Sequence, residues 1–414
     1  MRFIFILLTM VLVGCHAPAQ IHFSPDGRRA IFGGGISQAV LLIDADGNIL
    51  RSLGQGHGVA AFSADARRVY YAVRAQPDAE LVAIDPLLWE SPGRGLELMP
   101  PHQPGGLDLH DPPEDAQTVY VIESDGDPRP IFSVPGMIWR MVVSPDGRWL
   151  LVHYTGAVYL AHDREDAGIT AVYSIEHNRL MPLTAGEGVQ VAGCFTPDGQ
   201  VVYLRGIDPS GSLGTLVRRT LSITESTDIE ELGVVGLTGV SFLASLPDGD
   251  LLLSSTRLAL PASQKDLEAS RVALHRIDAR TGEMRLLVED IEPYFDLSAD
   301  GSRVLLAGSE KRTDGSKLGL LSLADGTVRD LLPLRGYGSL PMFPRLIGED
   351  GLVFVAPVSE KKTVHRGRQR FSAYDIVRYT LTGSEVKPVA RLSATWDETD
   401  LPGVQDEAPA DARE

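Results

Sequence analysis

Hydrophobic and polar positions along the chain fall into a recurring unit: an apolar run, a short polar turn and a second apolar run. "IHFSPDGRRAIF", "MVVSPDGRWLLV", "GCFTPDGQVVYL", "ASLPDGDLLL" and "DLSADGSRVLLA" carry it plainly, and "AFSADARRVYYA" and "LIGEDGLVFVA" carry it in degenerate form. The turn chemistry states how the runs pair. Ser or Thr at the first position can accept a backbone N–H through its hydroxyl, and Pro at the second pre-sets φ. Asp at the third tolerates the bridge region, and Gly at the fourth takes a positive φ. So short a loop joins antiparallel strands, and each copy therefore closes a hairpin.

Marking each copy by its last turn residue gives Gly27, Ala66, Gly147, Gly199, Gly249, Gly301 and Gly351, at intervals of 39, 81, 52, 50, 52 and 50 residues. A period near 50 with β-rich content points to propeller blades rather than helical repeats. A second, weaker hairpin follows the first in "AVLLIDADGNILRSL", "VALHRIDARTGEMRLLV" and "LGLLSLADGTVRDLL". Two hairpins per unit make a four-stranded blade, which uses about 40 to 50 residues with its loops. The expected fold class is all-β, a single β-propeller of four-stranded blades over residues 21–392. The interval between Ala66 and Gly147 leaves two readings open: seven blades, one with an insertion, which is preferred, or an eighth blade opening at "HDPPEDAQTVYV".

The elements "FSPDG", "VYLRG" and "DADG" resemble the repeats of the TolB-like family of β-propellers, and the resemblance runs from residue 20 to about 392. It implies the fold. It implies little about activity, since this blade type serves transport-associated lipoproteins, peptidases and lyases alike.

The ends of the chain have another character. "MRFIFILLTMVLVGC" has one Arg and an apolar run from Phe3 to Val13, too short to span a bilayer and suited to the core of a secretory signal. Its ending, Leu12-Val13-Gly14-Cys15, resembles the lipobox of bacterial lipoproteins, in which the Cys15 thiolate takes the diacylglyceryl group. Residues 1–15 are thus read as a lipoprotein signal and residues 16–20 as a short tether. His16 is not the Asp that favours inner-membrane retention, so the lean is to the periplasmic face of the outer membrane. Cys194 is the second of two cysteines; with Cys15 lipidated no intramolecular disulfide can form, and Cys194 reads as a small buried hydrophobe. The tail, residues 393–414, is acidic and aperiodic and is expected to be disordered.

Charge narrows the partners. A net charge of −17 would repel nucleic-acid backbones, so no nucleic-acid partner is expected. One stretch runs the other way: "SEKKTVHRGRQR", from Ser359 to Arg370, places Lys361, Lys362, Arg366, Arg368 and Arg370 between the second and third strands of the last blade. That loop is a candidate contact for an anion or a lipid headgroup.

Catalytic signatures are missing from the sequence: no H-E-x-x-H, G-x-S-x-G, C-x-x-C or G-x-x-x-x-G-K-[ST] occurs. "GQGHG" at Gly54 to Gly58 precedes a strand, not a helix, which argues against a phosphate loop. "DADGN" at Asp44 and "ESDGDP" at Glu123 look like calcium loops but sit where hairpin turns are needed and have no downstream bidentate Glu. The ten histidines show no metal-ligand spacing. No metal, cofactor or catalytic residue is expected, and the reading leans away from an enzyme. It favours a lipid-anchored, monomeric envelope propeller acting as a non-catalytic platform for a protein or peptide. The alternative is a hydrolase or lyase of carbohydrate or peptide with a site assembled from several blades. Positions six to nine residues before the turn marker should lie where each blade's first strand begins, at one end of the channel. Counting back from four markers selects His57, Trp139, Arg140, Glu292, Tyr294, Phe343 and Arg345, an aromatic and charged set suited to recognition.

Overall fold

The structure is a computed structural model. It describes residues 20–33, 39–75, 116–124, 126–134, 136–160, 163–186, 193–206, 213–222, 229–236, 242–256, 272–308, 317–333, 342–348, 351–357, 362–365, 368–371, 373–381 and 386–393. Seven four-stranded antiparallel sheets form the blades of a propeller, over residues 20–55, 60–134, 138–186, 193–236, 242–289, 291–333 and 342–393. The 81-residue interval belongs to one blade. Gln117–Glu123 pairs with Arg68–Arg74 as the third strand of blade 2, so the eighth-blade reading falls. "ELVAIDP", "GLELMPP" and the Pro-rich stretch after them lie outside the described residues, as do the Cys15 leader and residues 394–414.

The turns that define the repeat are built as their residues dictate. In blade 3 Ser144 Oγ donates to Asp146 Oδ1 at 2.6 Å and accepts the Trp149 N–H at 2.9 Å, while the Gly147 N–H reaches Ser144 O at 2.9 Å. The Asp carboxylate also accepts the N–H two residues on, 3.1 Å from Arg148 N. Asp thus links the hydroxyl to the backbone, more than the sequence reading asked of it. Gly147 has φ 69° and Ala66 has φ 58°, so blade 2 holds the same left-handed turn with a non-glycine residue. The last repeat departs from expectation. There Gly348 takes the left-handed conformation, at φ 59°, and Gly351 opens the second strand, Gly351–Pro357.

Packing explains the uninterrupted apolar runs after each turn. Strand residues alternate between two faces, and each blade has a neighbour on both. In "WLLV", Leu150 and Val152 join a cluster with blade 2, while Trp149 and Leu151 join one with blade 4. Seven such clusters occur among the described residues, one at each junction between neighbouring blades. The seventh closes the ring, bringing Ile21, Phe32 and Leu41 of blade 1 against Val353 and Ile376 of blade 7. Every blade uses four strands from its own segment, so among the described residues no strand is exchanged across this junction and apolar packing closes it.

The "GQGHG" segment serves the junction of blades 1 and 2. A Cβ at Gly33 would lie 2.4 Å from Gly58 Cα, so the two backbones meet where only glycine fits. In "DADGN" the Asp44 carboxylate accepts the N–H groups of Asp46 and Asn48 at 2.9 and 2.8 Å, which is turn chemistry.

Candidate binding site at the mouth of the axial channel

The first strand of each blade is innermost: Gln20–Phe23, Ala60–Phe62, Ile138–Val143, Gly193–Phe195, Phe242–Ser245, Ile291–Leu297 and Met342–Ile347. Each touches the next around the ring, and the last touches the first, so together they enclose the axis. All run the same way, and their upstream ends form one mouth.

Three of the seven are irregular at that mouth. Arg140 pairs with His153 and Ile138 with Tyr154, so Trp139 is an extra residue in a β-bulge. In blade 6 Ile291 pairs with Gly308 and Phe295 with Leu306, which loops out the segment holding Glu292 and Tyr294. In blade 7 Met342 pairs with Val355 and Arg345 with Val353, which bulges the segment holding Phe343. The innermost strands of blades 1, 2, 4 and 5 pair in plain register. Bulges re-aim side chains and often stand beside functional sites. Here they turn Trp139 and Tyr294 outward, to 38% and 37% exposure.

Arg140 is the centre of the arrangement. Its Nη2 donates to Leu243 O of blade 5 at 3.0 Å, and its guanidinium stacks 4.3 Å from the Phe242 ring centroid. In blade 4 a Cβ at Gly193 would lie 3.0 Å from the His153 ring, and Cys194 is close enough to feel the charge of Arg140. Phe242 meets Tyr294 of blade 6 edge-on, with centroids 4.9 Å apart. Arg345 of blade 7 donates to Asp296 Oδ1 of blade 6 at 2.8 Å, and Asp296 Oδ2 accepts the Leu346 N–H at 2.7 Å. Arg140, Tyr294 and Arg345 thus belong to one constellation, with Trp139 exposed on the strand of Arg140.

The remaining candidates lie otherwise. His57, in the link between blades 1 and 2, is half-buried, and burial, with the charge of Arg74 in blade 2, lowers its pKa. Glu292 and Phe343 have their backbones at the mouth, but their side chains are not described. Of the basic loop, Lys362, Arg368 and Arg370 fall in a two-stranded hairpin, Lys362–His365 with Arg368–Phe371, between the second and third strands of blade 7. Their side chains are not described, and Lys361 and Arg366 lie outside the described residues.

Three further groups join the site. His22 of blade 1 is held neutral, its pKa lowered to about 3 by burial and by the charges of Arg345 and Arg140. His153 lies behind Arg140, 1% exposed, with Nδ1 3.0 Å from Thr170 Oγ1 and its pKa lowered to about 3 by burial and by Arg140. Burial raises the Cys194 thiol to about 12, despite Arg140. Arg140 itself is lowered to about 10 by burial, with Arg345 adding to the effect. A signal for some of these existed: Phe242 stands seven residues before Gly249, as Arg140 does before Gly147, and His22, Cys194 and Asp296 stand five before their glycines. Positions two apart share a strand face.

No group of three His, Cys, Asp or Glu able to hold a metal occurs among the described residues. A groove of about 240 Å³, lined by Arg148, Trp149, Ser174, Glu176 and His177, lies at the opposite end beside the first turn of blade 3.

These features define a seven-bladed β-propeller with an aromatic and cationic mouth. Two solved structures, with TM-scores of 0.50 and 0.52, agree on the fold. The tricorn protease is 13% identical over 77% of this chain, with a TM-score of 0.50. The chain spans 31% of that protein's length. The β-propeller domain of the Trilobed protease from Pyrococcus furiosus, described as an open velcro topology, is 10% identical over 90% of this chain and 98% of its own, with a TM-score of 0.52. TolB from Acinetobacter baumannii is 14% identical over 88% of this chain and 76% of its own, with a TM-score of 0.44. No family model and no curated protein matches the sequence.

Proposed function

We propose that the protein is an exported, lipid-anchored propeller of the cell envelope that captures a protein or peptide partner at the channel mouth without chemical turnover. The observation that carries this reading is the convergence of Arg140, Phe242, Tyr294 and Arg345 from four blades, with Trp139 turned outward beside them. Exposed aromatics and arginine are the side chains that anchor partners. Three of the described titratable groups here are suited to holding rather than to proton transfer. His22 and His153 stay neutral far below physiological pH, and the Cys194 thiol stays protonated far above it. Export and anchoring rest on the resemblance of Leu12 to Cys15 to a lipobox.

The test is capture from membrane extract, with quantitative mass spectrometry of wild type and Trp139→Ala. Trp139 sits in a bulge, so its truncation should cost more than about tenfold in partner enrichment while the melting curve stays in place. Equal enrichment by both proteins would overturn the reading.

A further inference from the structure

Among the described side chains the charges at the mouth do not balance. Arg345 is matched by Asp296, whose second oxygen is occupied by the Leu346 N–H. Arg140 has no such partner among the described side chains. Its Nη2 is spent on a neutral carbonyl, and its Nη1 is buried with no hydrogen-bond partner among the described residues. The imidazoles nearby add no negative charge, since His22 and His153 are neutral. An isolated buried cation is costly, and an arriving anion removes that cost.

Several observations narrow the anion. The local imbalance among described side chains is a single positive charge, which one monoanion neutralises. The Asp296 carboxylate and the protein's net charge of −17 both disfavour a dianion such as phosphate. The unpaired Nη1 suits a carboxylate oxygen, a charge-assisted acceptor, and the guanidinium is held in place by its contact with Phe242 and its bond to Leu243 O. Tyr294, packed on Phe242, and Trp139, next to Arg140 on its strand, are exposed, apolar surface that a bare ion would not use and a peptide end would.

We infer that Arg140 receives the terminal carboxylate of a peptide chain entering the axial channel from its mouth. This deepens the partner-capture reading and rests on it. Arg140 then acts as the end stop, with Trp139 and Tyr294 contacting the last side chains of the peptide.

The full chain is titrated calorimetrically with three probes: N-acetyl-trialanine with a free carboxylate, its C-terminal amide, and potassium acetate. Expected is binding of the peptide acid, with the amide and acetate each weaker by about tenfold or more, the loss of one charged contact or of the peptide contacts. Arg140→Met should abolish binding of the acid, and Arg140→Lys, which keeps the charge and loses the fork, should fall between. If Arg140→Met does not fold, Arg140→Lys is read alone, and wild-type affinity in it overturns the inference. Equal affinity for acid and amide, or no binding of any probe to the wild type, also overturns it. Acetate binding as tightly as the peptide acid overturns the peptide terminus and assigns the site to a free carboxylic acid. Failure of the peptide acid while Trp139→Ala still abolishes partner capture removes the carboxylate and leaves the platform reading standing.

Discussion

Placing one methyl group at two equivalent turns should separate the backbone's share of stability from the ring closure's share. Gly27 and Gly147 occupy the same turn position with nearly the same φ, 67° and 69°. Their surroundings differ. A Cβ at Gly147 would meet nothing within 4 Å, whereas one at Gly27 would lie 2.3 Å from Ile347 Cγ2 of blade 7. Gly147→Ala therefore carries the left-handed backbone term alone, about 1 to 2 kcal/mol, reduced by about 0.4 to 1 kcal/mol through the stiffer unfolded chain. A net cost near 1 kcal/mol follows, and the native Ala66 at φ 58° shows that the fold tolerates such a cost. Gly27→Ala adds overpacking of about 1 to 3 kcal/mol, because the β-branched Ile347 has few rotamers into which to retreat. Urea denaturation should place Gly27→Ala about 2 kcal/mol below Gly147→Ala, a gap that follows from that overpacking. Adding Ile347→Ala to each should be partly compensating only with Gly27→Ala. Equal losses in the two single variants would refute a ring closed by packing of blade 1 on blade 7.

Three further outcomes are expected. Cys15→Ser should move the protein from the membrane pellet to the soluble fraction, and a variant that stays with the membrane contradicts the lipid anchor. The pKa of His153, about 3 in the folded state, lies below the ordinary value near 6.5, so its contribution to stability is full above pH 6.5. It fades as pH falls towards 3, with a slope approaching about 1.4 kcal/mol per pH unit; His153→Gln should flatten that limb in urea titrations, and an unchanged slope counts against a neutral buried imidazole. Arg345→Met should cost about 1 to 3 kcal/mol by leaving Asp296 unpaired. Arg345→Met with Asp296→Asn should recover part of that cost in a double-mutant cycle, and strict additivity would deny the coupling between blades 6 and 7.

What the sequence conveyed was mostly local. Ser144, Asp146 and Gly147 specify their hairpin without help from the rest of the chain, and the apolar runs beside them are continuous because each blade is covered on both faces. The period followed from repetition of that unit, and so did the rule that led to Arg140, Tyr294 and Arg345. The last repeat misled because "IGEDG" offers two glycines and only the backbone shows that Gly348 turns. The bulges at Trp139, Glu292 to Tyr294 and Phe343 were hidden, since a bulge is a mismatch between two strands and neither strand declares it alone. The reach of Arg140 to Leu243 was hidden for a similar reason: it joins two blades across 103 positions of sequence. Arg345 was found by counting, but its ion pair with Asp296 belongs to the ring, which no single segment encodes.

The central claim is that a partner is held at the mouth of the channel and not at the turn end. A photocrosslinking residue placed at position 139, and separately at position 177 beside the opposite groove, tests it in cells. The account predicts one discrete adduct from position 139 and none from position 177, with the adduct's mass spectrum giving the partner's cross-linked segment. An adduct from position 177 alone, or the same adduct from both, would contradict it.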